Sequence, residues 1–492
     1  MRLGLPRVDE PLVSVVMLAY GARDWVEAAL RALVANTPPV YEAVILDNAS
    51  PDGTGDWLAA NVEGATLVRN PVNVGFGPGA NQAVLSARGR HVCLLNSDAL
   101  VEPGWLEPLV ADLEGIPGCG AVIPRFLNLD WTLQEAGAVV GADGQTMAMG
   151  YGDDPDRPWH RFPRFVDYGS GACLLSRRST FLAAGGFDPC YGLGYYEDVD
   201  LCFRLRRDGM RIAYEPRSVV RHVRGASSAT TSVLRLREGN AELFRRRWGQ
   251  ALRHRPPLTE LQSRPERVVA ARDVEAPDRV LVMGARLPRS MDDRAARLVV
   301  EMATVAGEAR ITLVGLDDEG PAEEVSALLD AGIEVIWGIN DWDDWMSRCR
   351  WHYPVAVVTD PVAGERAAAL LSEYQPQALV AIDVDRPDEL VAYPPSLVAR
   401  ASAVWERGER AGERVEPLPE PAGVVEGGRR DGAGAGAGLE AGAGTGGLAQ
   451  ALAELGIAPT GPSPWLGVRH LSRLAVVPSA PPAPPADGAI DR

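Results

Sequence analysis

Short β-branched runs alternate with amphipathic stretches from Val13 onward, and this alternation predicts an α/β unit. The apolar run at 13–19 reads as a first strand, 26–35 as a helix, and 41–47 as a second strand ending in Asp47. A helix after Gly53, a strand at 65–69, a helix at 80–87 and a strand at 91–95 continue the series. Strands separated by helices imply a mainly parallel sheet. In open sheets of this kind ligands collect beyond the carboxyl ends of the strands, where Asp47 and the turn Asn96-Ser97-Asp98 both fall.

The first unit is expected over residues 10–255, followed by a charged, proline-interrupted linker at 256–277. A second series has strands expected at 279–283, 310–316, 332–337, 354–359 and 378–383, with helices including 293–306 and 361–371. It reads as a second Rossmann-like layer over 278–408. From 409 to 492 the chain turns to glycine, alanine and proline, with a Gly-Ala repeat at 432–438. Such residues bury too little apolar surface to offset chain entropy, so this tail is expected to be mostly disordered, with one short helix at 448–455.

Composition removes several classes of function. A chain of 492 residues exceeds one ordinary core. No apolar run approaches the ~20 residues that cross a bilayer, and Asp9 and Glu10 fall where the core of an export signal would run, so a cytoplasmic protein is expected. Six cysteines without a C-x-x-C pair read as buried reduced thiols. All 49 basic residues are arginine, and without lysine neither an ordinary P-loop kinase nor a Schiff-base pyridoxal enzyme is possible. The net charge of −17 argues against a nucleic-acid partner. Charge is uneven, however: from Arg204 to Arg255 there are fourteen arginines and four carboxylates. That segment reads either as a footprint for a phosphate-bearing acceptor or an anionic membrane face, or as a solvated helix face.

Several segments carry candidate chemistry. Asp47 can accept hydrogen bonds from a nucleobase imide or a ribose, and with Asn48-Ala49-Ser50 behind it the segment reads equally as turn chemistry. Asn96-Ser97-Asp98 brings a carboxylate from a buried strand to the sheet edge, where Mg²⁺ or Mn²⁺ can share it with phosphate oxygens and water; an Asx turn is the plain alternative. The glycine-rich segment 73–81, with Asn73, Gly75 and Asn81, opens a helix and allows close backbone approach, but its spacing fails the dinucleotide fingerprint. Glu197, Asp198 and Asp200 open a helix that runs through Arg204 to Asp208, a place where the helix dipole favours acids in any case. Glycine-rich approaches at 185–188 and 192–194 favour a functional reading. His222, after a strand at 211–215, is a candidate metal ligand and, as a lone histidine, also a structural candidate.

Taken in order, Val13 to Tyr20, Asp47 to Ser50, Asn73 to Asn81, Leu94 to Asp98, and Gly186-Phe187-Asp188 leading to Glu197–Arg204 resemble the family 2 inverting glycosyltransferases of GT-A fold, especially the bacterial rhamnosyltransferase-like branch. The resemblance covers about 12–255. It implies transfer of a sugar from a nucleoside-diphosphate sugar, dTDP-rhamnose or a UDP-hexose, to a hydroxyl of a glycan or lipid-linked acceptor in cell-surface polysaccharide synthesis. It places Asp47, Asn73, Gly75, Asn81, Asn96, Ser97 and Asp98 on the donor side. Asp98 would bind Mg²⁺ or Mn²⁺ with His222 near the metal, Asp198 would be the general base, Glu197 would orient the acceptor, and Asp200 and Arg204 would lie on the acceptor side. Asn96 stands where the family's D-x-D motif has its first aspartate, so weaker metal affinity is expected. The second layer resembles the N-terminal half of a GT-B glycosyltransferase without its nucleotide-holding lobe, which implies a docking, acceptor-binding or oligomerisation role. A sugar nucleotidyltransferase is disfavoured because it needs a basic loop after the first strand and a catalytic lysine. A catalytically silent scaffold of a polysaccharide assembly complex is the rival from outside the enzymes.

Overall fold

A computed structural model describes residues 2–223, 231–263, 265–273, 276, 278–290, 293–317, 325–339, 342–384, 387–406, 452–453 and 456–465. The strands Val13–Ala19, Tyr41–Asp47, Thr66–Arg69 and His91–Leu95 pair in parallel, close to the expected positions. From one edge the sheet runs Thr66–Arg69, Tyr41–Asp47, Val13–Ala19, His91–Leu95, Cys173–Arg177, Cys119–Leu127, Arg211–His222 and Arg164–Val166. Cys173–Arg177 is antiparallel to both neighbours, because the chain re-enters the sheet from the opposite end after its excursion through 128–172. Both faces of the sheet are covered, which is why its strands read as unbroken apolar runs. Val16, Val44 and Leu94 pack on one face, and Val15, Ile45 and Cys93 on the other beneath Leu30, Leu33 and Leu109.

Two elements depart from expectation in ways that shape the site. The helix Phe76–Leu85 begins ahead of residue 80 and takes in Gly77 and Gly79. A Cβ at Gly79 would stand 2.6 Å from Leu18 Cδ1, and one at Gly77 would stand 3.1 Å from Phe187 Cβ. These glycines therefore seat a helix tightly on the sheet instead of forming an open loop. The last strand of the unit, expected to stop at 215, runs on to His222, where His222 pairs with Ala99 in antiparallel register.

Within 256–277, expected as a linker, the described residues are largely helical and packed. The helices Leu258–Ser263 and Pro265–Arg272 lie against the hairpin of Ala138–Val140 and Thr146–Ala148, where Leu258, Leu261, Val139 and Met149 form a small core. The second sheet follows the expected alternation and gains a sixth strand. Its all-parallel order is Glu334–Ile336, Arg310–Gly315, Arg279–Gly284, Val355–Val358, Leu379–Val384 and Ala403–Glu406. This is the doubly wound order, with its switch point between Arg279–Gly284 and Val355–Val358.

The two units meet around Phe162, which is fully buried beneath the guanidinium groups of Arg164, Arg272 and Arg310 at 5.1, 5.3 and 4.8 Å from its ring. Arg272 is paired with Asp273 and with Glu334 on the edge strand of the second sheet. Arg211 of the first unit pairs with Glu308 of the second at 2.8 Å.

Most of the tail expected to be disordered, including the 432–438 repeat, lies outside the described residues, but 456–465 are packed. Gly307 N donates to Gly461 O at 2.7 Å and Ser463 N to Ala303 O at 2.6 Å, so the segment lines the helix Arg294–Val305 of the second unit. Trp465 then reaches the first unit, with its ring 4.5 Å from that of Phe165. Among the described residues no helix is long and apolar enough to cross a membrane. Trp465→Ala is expected to lower the unfolding free energy by about 3 kcal/mol in urea melts, the usual cost of truncating a buried tryptophan; an unchanged melt would mean that the segment is not held in solution.

Candidate active site

The donor side is built at the carboxyl end of Tyr41–Asp47. Asp47 is buried; its Oδ1 accepts from Ser50 N at 3.0 Å and its Oδ2 lies 3.5 Å from Arg69 Nε. Beside it Asn48, which the sequence offered only as a turn residue, is a hub. Its Nδ2 donates to Asn73 Oδ1 at 2.8 Å and to Gly75 O at 3.2 Å, while its Oδ1 accepts from Asn70 Nδ2 and Val74 N, both at 3.1 Å. Gly75 has φ +93°, and a Cβ there would stand 2.4 Å from Gly192 O, so glycine is required for the donor segment to touch the loop at 192–194. The Asn81 carboxamide is spent on Phe187, with Nδ2 donating to Phe187 O at 2.7 Å and Oδ1 accepting from Phe187 N at 2.8 Å. This corrects its donor-binding assignment: Asn81 fastens the approach to the acidic helix.

Asn96, Asp98 and His222 come together. His222 Nε2 lies 3.3 Å from Asp98 Oδ1 and 3.3 Å from Asn96 Nδ2, and Ser97 is half-buried in the turn between them. Gln134, which no sequence signal marked, fixes the histidine. Its Nε2 donates to His222 O at 2.9 Å and to Asn128 Oδ1 at 3.0 Å, which turns its Oε1 to His222 Nδ1 at 2.8 Å. The carbonyl-type oxygen makes Nδ1 the protonated nitrogen, so in the neutral ring Nε2 presents a lone pair toward Asp98. Two acceptors 3.3 Å apart suit a cation bound between them, and an outer partner that orients an imidazole in this way is a common feature of metal ligands. Among the described residues no cluster of three His, Cys, Asp or Glu side chains is formed. The chain therefore offers Asp98, His222 and the Asn96 carboxamide, leaving further positions to phosphate oxygens and water, a set that Mn²⁺ or Mg²⁺ accepts.

Glu197 and Asp198 open the helix Glu197–Arg207. Asp198 is partly buried; its Oδ2 accepts from Gly171 N at 2.9 Å and its Oδ1 from Val199 N at 2.8 Å. Burial raises its carboxyl above the ordinary range, and these backbone bonds oppose the rise. Glu197 is buried and its Oε2 has no hydrogen-bond partner among the described residues. Burial first and the neighbouring Asp198 second push its carboxyl up to about 8. A carboxyl pushed up to about 8 keeps its proton at neutral pH, so Glu197 is protonated there.

Asp200 and Arg204, expected on the acceptor side, are interior. Asp200 has no exposed surface; its Oδ2 accepts from Arg204 Nε at 2.7 Å, and its Oδ1 from Trp248 Nε1 at 2.9 Å and Tyr191 Oη at 3.2 Å, with Arg247 Nη1 at 3.1 Å. Arg204 also caps the carbonyls of Ala184 and Gly186. Buried and bonded to each other and to the backbone, the pair holds the helix in place.

The acidic pair and the metal candidates are linked by the turn at 170–172. Gly171 N holds Asp198, and Ala172 O accepts from Asn96 N at 2.9 Å. Residues 14–135 match the model of glycosyl transferase family 2. The chain is 27% identical over 242 residues to the N-acetylglucosaminyl-diphospho-decaprenol L-rhamnosyltransferase of Mycobacterium tuberculosis, covering 44% of this chain and 78% of that protein. It is 28% identical over 274 residues to the succinoglycan biosynthesis protein ExoO of Rhizobium meliloti, covering 51% and 74%. The uncharacterized protein y4gI of Sinorhizobium fredii is 28% identical over 236 residues, 45% of this chain and only 25% of that longer protein. Among solved structures, GalNAc-T7 with UDP, GalNAc and Mn²⁺ overlaps 48% of each chain at 17% identity with a TM-score of 0.37, too loose an overlap to argue from.

Two outcomes test this electrostatic picture. Between the ordinary glutamate value of about 4.5 and about 8, the folded chain keeps a proton on Glu197 that the unfolded chain releases, so this group's contribution to stability is lost as pH rises through that window. Glu197→Gln should therefore gain on wild type by more than about 2 kcal/mol between pH 5 and pH 8.5 in denaturant melts, at about 1.4 kcal/mol for each tenfold change in proton affinity; parallel pH profiles would refute the raised carboxyl. Asp200→Asn should lower stability by about 3 kcal/mol by leaving the buried Arg204 without its charged partner. An undisturbed melt with a raised acceptor KM would restore the acceptor-side assignment.

Proposed function

We propose that this protein is an inverting glycosyltransferase that moves a sugar from a nucleoside-diphosphate sugar to a hydroxyl of a glycan or lipid-linked acceptor in cell-surface polysaccharide synthesis. The observation that carries this reading is the 170–172 turn, which ties the Glu197–Asp198 pair to the Asn96–Asp98–His222 cluster and so sets a proton acceptor beside a diphosphate-binding edge. Asp98 and His222, with Asn96 turning its oxygen inward, would hold Mg²⁺ or Mn²⁺. A divalent ion bound there stabilises the negative charge of the departing diphosphate.

The remaining steps belong to the chain's own groups. Asp198 takes the acceptor proton on a carboxylate lone pair left free by Gly171 N and Val199 N. Its raised proton affinity suits that task, since it is set by burial and not cancelled by an arginine. Protonated Glu197 donates to the acceptor and orients it. The acceptor oxygen bonds to the anomeric carbon as the bond from that carbon to the phosphate oxygen breaks, and the configuration inverts. Asp47 receives the nucleotide, and either dTDP-rhamnose or a UDP-hexose fits an acceptor carboxylate at that place. Exposed Arg235, Arg237, Arg246 and Arg253 suit a phosphate-bearing, lipid-linked acceptor and peripheral association with an anionic membrane face.

For the second sheet we propose a docking role and no second reaction. Its switch point is crossed by its own loop: Leu316 N donates to Gly284 O, Asp360 Oδ2 accepts from Ala285 N at 2.7 Å, and Leu287 is buried over Gly315.

The test is turnover and thermal stabilisation of the purified protein across nucleoside diphosphates and nucleotide sugars, with and without Mn²⁺. A ligand bound only by the folded state raises its melting temperature. Asp198→Asn should abolish transfer, by more than 10³-fold, while nucleotide-induced stabilisation stays near that of wild type; full activity in that variant would remove Asp198 as base. No stabilisation by any nucleotide would turn the reading to a catalytically silent scaffold.

A further inference from the structure

Three features converge just ahead of the acidic pair. Tyr195 and Tyr196 are consecutive non-glycine residues in the left-handed region, at φ +71° and +75°. Bulky side chains rarely adopt that conformation, and each residue held there costs of order 1 kcal/mol or more, so surrounding structure must impose it. Tyr196 stands directly before the helix, and its turn aims Glu197 inward and Asp198 at Gly171. Part of the restraint comes from the tyrosines themselves, as Tyr196 Oη donates to Gly144 O at 3.0 Å and Arg237 stacks on the Tyr195 ring at 5.5 Å.

The remaining restraint comes from one side chain on a distant helix. Asn240, buried on Thr231–Leu252, directs its Nδ2 at three carbonyl oxygens of this loop: Tyr191 O at 2.8 Å, Gly194 O at 2.9 Å and Tyr195 O at 3.0 Å. The same loop touches the donor side, since Phe76 N donates to Leu193 O at 3.0 Å. No other side chain in the protein binds so many carbonyls of the loop among the described residues, and a carboxamide does so only because it offers two protons on one nitrogen.

We infer that Asn240 is a positioning residue for glycosyl transfer: its amide gathers the carbonyls of Tyr191, Gly194 and Tyr195, holds the left-handed turn, and thereby sets the direction in which Glu197 and Asp198 face the acceptor. It touches neither donor nor acceptor. The inference rests on the proposed reaction for its kinetic consequences, while the geometry it assigns exists whatever the chain transfers.

Asn240→Asp keeps the shape and replaces the donor by oxygen facing three carbonyl oxygens. It is expected to lower kcat at least 30-fold with a smaller rise in the KM for the nucleotide sugar, because the loop touches the donor segment only at Gly75 and Phe76 while Asn48 and Asn73 are held independently of Asn240. Asn240→Ser, which keeps a single donor, should fall between and carries the test if the aspartate variant does not fold. Adding Tyr195→Gly to either variant should recover part of the lost kcat, since glycine adopts positive φ without being held there; a purely structural defect would be worsened by the second change. A readout that needs no turnover is the carboxyl titration of Glu197 followed by ¹³C NMR, which should move from about 8 toward the ordinary range in the Asn240 variants as the loop relaxes. Wild-type kcat in both variants, or an unmoved Glu197 titration, overturns the inference. Absence of turnover in wild type itself sinks the glycosyltransferase reading and leaves the titration to decide the role of Asn240.

Discussion

Asp200 carries its charge without any exposed surface, and it does so only because donors from three parts of the chain converge on it. Arg204 lies one helical turn further along its own helix, Arg247 and Trp248 come from Thr231–Leu252, and Tyr191 comes from the loop that leads into the acidic pair. An unpaired buried carboxylate would cost several kcal/mol, so none of the three parts can shift without exposing that cost. The carboxylate thus registers helix, loop and second helix against one another. Asp198 and Glu197 sit two and three residues away from it on the same helix and take their position from it.

The same burial decides the chemistry of the pair. A helix N-terminus favours ionised acids, whereas an apolar surrounding favours neutral ones. For Glu197, packed near Phe187 and Gly77 with an unpartnered oxygen, burial wins and the proton is kept. Asp198 receives two backbone N–H groups, which hold its rise in check. Because the two carboxyls interact, their titration belongs to the pair.

The alternation of apolar runs disclosed both sheets nearly strand by strand, because a strand buried on both faces announces itself by its own residues. It also placed Asp47, Asp98 and Asp198, each at an element boundary where a turn must follow. What it could not disclose was direction. Asp200 and Arg204 carry the same charges whether they face solvent or each other, and only the packing of Thr231–Leu252 settles that they are interior. Asn48, Gln134 and Asn240 work through partners 6 to 88 residues away, and a carboxamide gives no signal of its own in a sequence. Gly77 and Gly79 were legible as glycines but not as a helix start, since the reason for them is Leu18 and Phe187 across the fold. The packed 456–465 segment escaped notice because its flanks are low in complexity, while its hold depends on backbone bonds and on one tryptophan.

A chain whose basic residues are all arginine can do at its domain junction what lysine could not. Three guanidinium groups surround Phe162, and Arg164 among them is fully buried and bonded to no carboxylate among the described residues. It survives because a flat, delocalised cation can stack, here 4.5 Å over Tyr214, and can donate to the carbonyl of Ala136; burial lowers its proton affinity only to about 10, so it stays charged. An ammonium at the same place would lose its hydration without recovering it on an aromatic face. The junction therefore joins the two sheets through aromatic rings and oriented charge. Glu334 lies on the edge strand of the second sheet, and Tyr214 lies on the long strand that ends at His222. The second unit is thus braced against the long strand that ends at His222, through Arg211 and Glu308 as well as through the arginines around Phe162.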